Sequence, residues 1–183
     1  LTVATTPTLL TIDEYLKTSY HPDVDYVDGE IEERNLGEYE HAKVQHFIDV
    51  LFGNNEGDWE VDTVVEQRIR VNSSRVRVCD VAILRADAPH EHVTATPPFI
   101  CIEIMSPEDR IPRAARVLND YFLMGVPNIW LVDPIRRMAY IYDTAGLQQA
   151  ASLILTVPGT PIRLDLNDIF RKLDQKIASR KRL

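Results

Sequence analysis

Apolar positions along the chain change their spacing from stretch to stretch, and those changes mark its elements. Three stretches are short apolar runs rich in β-branched residues and ended by turn formers: RVRVCDVAIL (75–84), PFICIEIMS (98–106) and VPNIWLVDP (126–134). They predict buried strands. Residues 59–71 predict another strand, turning into 75–84 at Asn72-Ser73-Ser74. Between 37 and 52, Ala42, Val44, Phe47, Ile48 and Leu51 fall mainly at helical spacing, and Leu118, Tyr121 and Phe122 mark a second helix over 108–124. Upstream, Thr11-Ile12-Asp13-Glu14 has the form of a capping box and predicts a short helix to Thr18, broken by His21-Pro22-Asp23. Residues 24–34 read as a hairpin with Asp28-Gly29 as its turn. Residues 53–58 and 85–97 read as loops. Strands over 129–132 and 138–142 are joined through Asp133-Pro134, and 147–156 and 162–164 predict further strands. This order predicts an α+β (mixed α/β) fold, with a mostly antiparallel mixed sheet flanked by helices.

At 183 residues, 45% hydrophobic and 26% charged, the chain has the size and make-up of one globular domain. We expect that domain over 1–170 and a basic tail over 171–183, in an amphipathic or frayed helix. The tail carries Arg171, Lys172, Lys176, Arg180, Lys181 and Arg182 against Asp174, so the rest is more acidic than the net charge of −8. Such a body is a poor generic binder of nucleic acid and requires a local basic strip, while its clustered carboxylates can await a divalent metal. Cys79 and Cys101 fall on core strands, which suits small buried hydrophobes in a reducing cytosol. No stretch has the length and apolarity of a membrane span or a secretory leader, so a cytoplasmic, non-membrane protein is expected.

Candidate chemistry begins with Asp80 and Glu103, each alone within an apolar strand. A carboxylate there is costly unless paired, protonated or metal-bound. If the two strands are neighbours, Val78, Asp80 and Ala82 share one side of the first, and Cys101, Glu103 and Met105 one side of the second. The spacing admits two readings: a hard-cation site for magnesium, or carboxylates each paired with an arginine at a sheet end.

Further motifs surround these residues. Asp80 to Leu84 reads D-V-A-I-L, Ile102 to Arg110 reads I-E-I-M-S-P-E-D-R, and Tyr121 to Pro134 reads Y-x-x-x-G-V-P-N-I-W-L-V-D-P. Upstream lie Y-V-D-G-E-I from Tyr26, His41 opening a helix, and E-Q-R-I-R-V from Glu66. In this order, over roughly residues 10 to 170, the chain resembles the Uma-type restriction endonuclease family of the PD-(D/E)XK nuclease superfamily. The resemblance implies a restriction-endonuclease-like fold and Mg2+- or Mn2+-dependent cleavage of DNA phosphodiesters. It matches Asp80 and Glu103 to the superfamily's metal-binding acids and makes the Ile104 carbonyl a further ligand. Glu30 and His41 occupy the family's N-terminal acidic and histidine positions, and Gln67 lines the same cleft. Arg110, Arg113 and Arg116, on or before the second long helix, are the expected DNA contacts. Double-strand cleavage calls for two active sites, so a homodimer is the expected assembly.

The chain departs from the pattern at its lysine. The motif position after Glu103 is Met105, the family's alternative helix position is Val117, and no lysine occurs between Lys43 and Lys172. Cys79 also replaces the usual proline before Asp80. Arginine binds phosphate but is a poor base. Two expectations follow: an endonuclease with reduced or lost activity, or a catalytically inactive nuclease-fold protein that binds nucleic acid or another protein. His90 and His92 read as an exposed loop pair, Asp133 as a turn former, and Ser106 as a helix-terminus device.

Overall fold

The computed structural model describes residues 9–35 and 38–180. The expected helix start at Gly37 and the last residues of the tail lie outside them. Helix α1 (Ile12–Leu16) opens on the expected capping box: Glu14 N–H donates to the Thr11 hydroxyl and Thr11 N–H donates to the Glu14 carboxylate. Strands β1 (Asp25–Val27) and β2 (Glu30–Glu32) form the hairpin, with Asp28 and Gly29 both at positive φ. Helix α2 (Tyr39–Gly53) follows. Its buried residues His41, Val44, Ile48 and Phe52 share one face, so His41 points toward the sheet, one turn before the apolar stripe.

Residues 53–58, expected as loop, include a helical turn, α3 (Glu56–Trp59). Packing outside the segment makes it: Trp59 meets Phe52 edge-on, and the Glu56 carboxylate accepts the Thr63 N–H. Long strands β3 (Val61–Asn72) and β4 (Arg75–Arg85) pair antiparallel, followed by β5 (Ile100–Ile104) and α4 (Ile111–Met124), the latter closed by Gly125 at φ 98°. Strands β6 (Asn128–Asp133) and β7 (Met138–Asp143) join through a turn in which the Asp133 carboxylate accepts the N–H groups of Ile135 and Arg136. The strand expected over 147–156 is divided. β8 (Gly146–Gln149) stays in the main sheet, while β9 (Ile154–Thr156) pairs with β10 (Arg163–Asp165) in a second one. Helix α5 (Leu166–Arg180) carries the described part of the basic tail and buries Leu173.

The main sheet has the order β2-β1-β4-β5-β6-β7-β8, with β3 on the other edge of β4, and only β5–β6 is parallel. It is the mixed, mostly antiparallel sheet the element order predicts. One face packs α2 and α5 over Val81, Ile83, Ile100, Ile102, Trp130 and Val132; the other packs Leu118 and Tyr121 of α4 over Cys79, Ala82, Cys101, Ile129 and Leu131.

Two features of β4 create the site. β3 covers one edge along its length, so β1 and β5 share the other. β1 pairs only at Arg75 and Val76, β5 only from Val81 to Ile83, and the edge between them is open. Second, side-chain alternation slips there. Cys79 and Ala82 both pack on the α4 side, so Val78, Asp80 and Ala82 do not follow the simple alternation expected of them. Opposite, Glu66 sits within β3 at φ 50°, outside the extended conformation. The Asp25 carboxylate fills part of the open edge by accepting the Val78 N–H at 2.9 Å.

Asp25 belongs to an ionic cluster around Arg77. The guanidinium meets Asp25 at 3.0 Å, Glu32 at 2.8 Å and Asp120 at 2.8 Å, and Arg77, Asp25 and Asp120 are all buried. Burial raises the Asp25 pKa, and the Arg77 charge works against that rise. Removing the shared cation would leave two buried carboxylates without it. Arg77→Ala should therefore cost about 3–5 kcal/mol in urea unfolding. A loss below about 1 kcal/mol, the size of a surface pair, would show that the cluster carries no such weight.

Candidate functional site

The open edge of β4 is the floor of a cleft lined by Asp25, Arg34, His41, Val78, Asp80, Glu103, Ile104, Met105, Asp109, Arg113 and Val117, among others. The last register pair between β4 and β5 is Val81 with Ile102. Asp80 and Glu103 come one step further, where the two strands part. In place of a strand-to-strand bond, the Ile104 N–H donates to Asp80 Oδ2 at 2.7 Å. His41 Nε2–H donates to the same oxygen at 3.2 Å, and Arg34 Nη2 meets Oδ1 at 2.5 Å. Burial alone would raise the Asp80 pKa, but its bond to His41 and the charges of His41 and Arg34 outweigh burial and hold it low.

Glu103 is fixed differently. It faces α4, where the Tyr121 hydroxyl donates to its Oε1 at 2.6 Å. Its pKa is raised, by burial first and by the Asp80 charge second. The two strand carboxylates thus have unlike environments: Asp80 lies between Arg34 and His41, and Glu103 against the Tyr121 hydroxyl.

Arg34 and Asn35, which follow β2, line the cleft. Arg113 donates to the Glu33 carbonyl, Arg34 reaches Asp80 and Glu66, and Asn35 donates to Asp109 at 2.6 Å. Gln45 of α2 donates to both the Glu66 carboxylate and the Asp80 carbonyl.

Of the residues expected at the site, Asp80, Glu103, Ile104, His41 and Arg113 meet in this cleft. Met105 and Val117, the two positions that lack lysine, also line it. Glu30 lies exposed on β2, outside the cleft lining. Gln67 bonds to Thr94 beside the 85–97 loop and lines a separate depression. Arg110 is exposed at the α4 N-terminus, and Arg116 faces the Arg77 cluster. His90 and His92 are exposed and touch ring to ring. The sequence reading missed Arg34, Gln45 and Glu66 as site residues. Glu66 begins one of the family motifs and so had a signal; Arg34 and Gln45 had none.

The donors, two carboxylates where neighbouring strands part, suit a hard cation that keeps most of its waters. No cage of three or more His, Cys, Asp or Glu side chains is present among the described residues.

This architecture defines the class as a nuclease-type fold. The Uma2 family, described as "Putative restriction endonuclease", matches residues 12–172, and the chain belongs to that family. A solved structure described as a "putative nuclease belonging to DUF820" from Anabaena variabilis superposes with a TM-score of 0.76 at 19% identity, covering 88% of this chain and 98% of that one. Comparison with curated proteins gives no match.

The His41–Asp80 contact makes stability depend on pH. Burial disfavours the His41 imidazolium, but the Asp80 bond and charge outweigh it, and the His41 pKa is raised. A raised folded pKa contributes stability that is complete below the unfolded value of about 6.5 and is lost as pH rises through the folded value. Urea unfolding should therefore show stability falling as pH rises above about 6.5, with a shallower fall in His41→Gln. The same slope in both proteins would contradict the assigned bond.

Proposed function

We propose that the protein is a divalent-metal-dependent endonuclease acting on DNA, with Asp80, Glu103 and the Ile104 carbonyl holding Mg2+ or Mn2+. The convergence of Asp80 and Glu103 where β4 and β5 part, facing an open cleft, carries this reading. Family membership supports the reaction class. A bound divalent cation would polarise the phosphodiester and lower the pKa of an attacking water. The chain's own residues set the stage. The Ile104 N–H and His41 fix the Asp80 carboxylate, and Tyr121 fixes Glu103. Arg113 at the cleft, with Arg110 and Arg116 on the same helix, supplies positive charge for the phosphate backbone. The lining carries Asp25, Asp80, Glu103 and Asp109 against Arg34 and Arg113, so a phosphate would meet repulsion until cations balance the carboxylates.

We read the assembly as a homodimer and the compartment as reducing, the latter from two buried free thiols. Among the described residues no helix is long and apolar enough to cross a membrane.

No lysine lines the cleft among the described residues, so turnover should be slow. A positioned proton-transfer group is worth about 10²–10⁴-fold. Val117 is half-buried and leaves a lysine stem room to carry its ammonium outward, whereas Met105 is buried on the α4 side. Plasmid nicking with Mn2+ should be weak in the wild type, absent in Asp80→Asn and raised at least about tenfold in Val117→Lys, more than in Met105→Lys. Nicking that persists in Asp80→Asn would refute the assignment. A folded, metal-binding Val117→Lys without gain would show that the missing lysine does not limit the rate.

A further inference from the structure

The cleft already contains a cation of its own. Arg34 Nη2 binds Asp80 Oδ1 at 2.5 Å, and Nη1 binds Glu66 Oε2 at 2.5 Å. The other Asp80 oxygen is taken by the Ile104 N–H and His41. A metal ion approaching Asp80 must therefore use the oxygen that Arg34 holds. Two cations cannot share that oxygen without strong repulsion.

The second partner of Arg34 is built for a different task. The Glu66 side chain is 46% exposed, against 3% for Asp80. Glu66 sits at φ 50° within a strand, a conformation that a non-glycine residue holds only when its surroundings enforce it. Gln45 helps by clamping Glu66 Oε1 at 2.7 Å and the Asp80 carbonyl at 3.0 Å. On either side of Arg34, the Glu33 carbonyl accepts a bond from Arg113 and the Asn35 side chain donates to the Asp109 carboxylate. Arg34 already spans two carboxylates, so its guanidinium can leave Asp80 and keep Glu66.

We infer that Arg34 is the resident counter-ion of the site, and that a divalent cation enters by displacing its guanidinium from Asp80 while Glu66 retains it. This rests on the metal reading of Asp80 and Glu103 given above. In this role Arg34 is a positioning residue: it holds Asp80 in place before metal arrives, and it weakens metal binding by competition.

Calorimetric titration with Mn2+, paired with melting curves, tests the inference in the full chain. Arg34→Gln should bind Mn2+ roughly ten- to a hundredfold more tightly than wild type, the size of one charge-assisted hydrogen bond. It should also melt lower than wild type without metal and regain more on adding Mn2+. Binding by Arg34→Gln where wild type shows none supports the same conclusion. Wild type that binds Mn2+, lost in Asp80→Asn but with unchanged or weaker affinity in Arg34→Gln, would overturn the displacement and leave the metal reading standing. No binding by either protein would overturn both. Should Arg34→Gln not fold, Arg34→Lys takes its place. A lysine keeps the charge but lacks the planar fork that spans both carboxylates. It should bind Mn2+ more tightly than wild type by a smaller factor, and an affinity equal to wild type would overturn the inference.

Discussion

The structure depends on an interruption in main-chain pairing. β4 is paired along one edge by β3, but its other edge is divided between β1 and β5, with an open interval between Val76 and Val81. Buried backbone donors near such a gap need acceptors. Two carboxylates meet that need: Asp25 takes the Val78 N–H, and Asp80 takes the Ile104 N–H. The same groups that complete the sheet's hydrogen bonding therefore bring negative charge into the interior. Cations follow as a consequence, Arg77 at the Asp25 end and Arg34 with His41 at the Asp80 end.

The two ends resolve that charge differently. Around Arg77 the carboxylates close on a buried guanidinium, and two of them, Asp25 and Asp120, are buried with it. Around Asp80 the cleft is open, the second carboxylate Glu103 is held by a neutral hydroxyl, and Arg34 is shared with an exposed partner. A closed cluster suits structure, and an open one with an exchangeable cation suits a site. That contrast supports the functional reading at the Asp80 end.

Much of the fold was legible because its signals are local. The Thr11 capping box, the Asp28-Gly29 turn, the β-branched runs and the Asp133 turn are written in adjacent residues. The unexpected parts depend on distant contacts. α3 forms because Trp59 finds Phe52, and the 147–156 segment divides because Ile154–Thr156 pairs with Arg163–Asp165. Asp80 and Glu103 stood out as charges in apolar runs. Arg34 did not, because an arginine at the end of a polar hairpin looks like any solvated charge, and only the fold carries it to a carboxylate 46 positions away. The slip in alternation at Glu66 and Asp80 was hidden too, since both strands read as regular.

The proposed cation site of Asp80 and Glu103 lies in the cleft beside β4. Crystals grown with Mn2+ and measured at the manganese absorption edge test it most directly. An anomalous peak is expected between Asp80, Glu103 and the Ile104 carbonyl, with the Arg34 guanidinium moved from Asp80 onto Glu66. An anomalous map empty at this position under saturating Mn2+, with Arg34 still bridging Asp80 and Glu66, would contradict it.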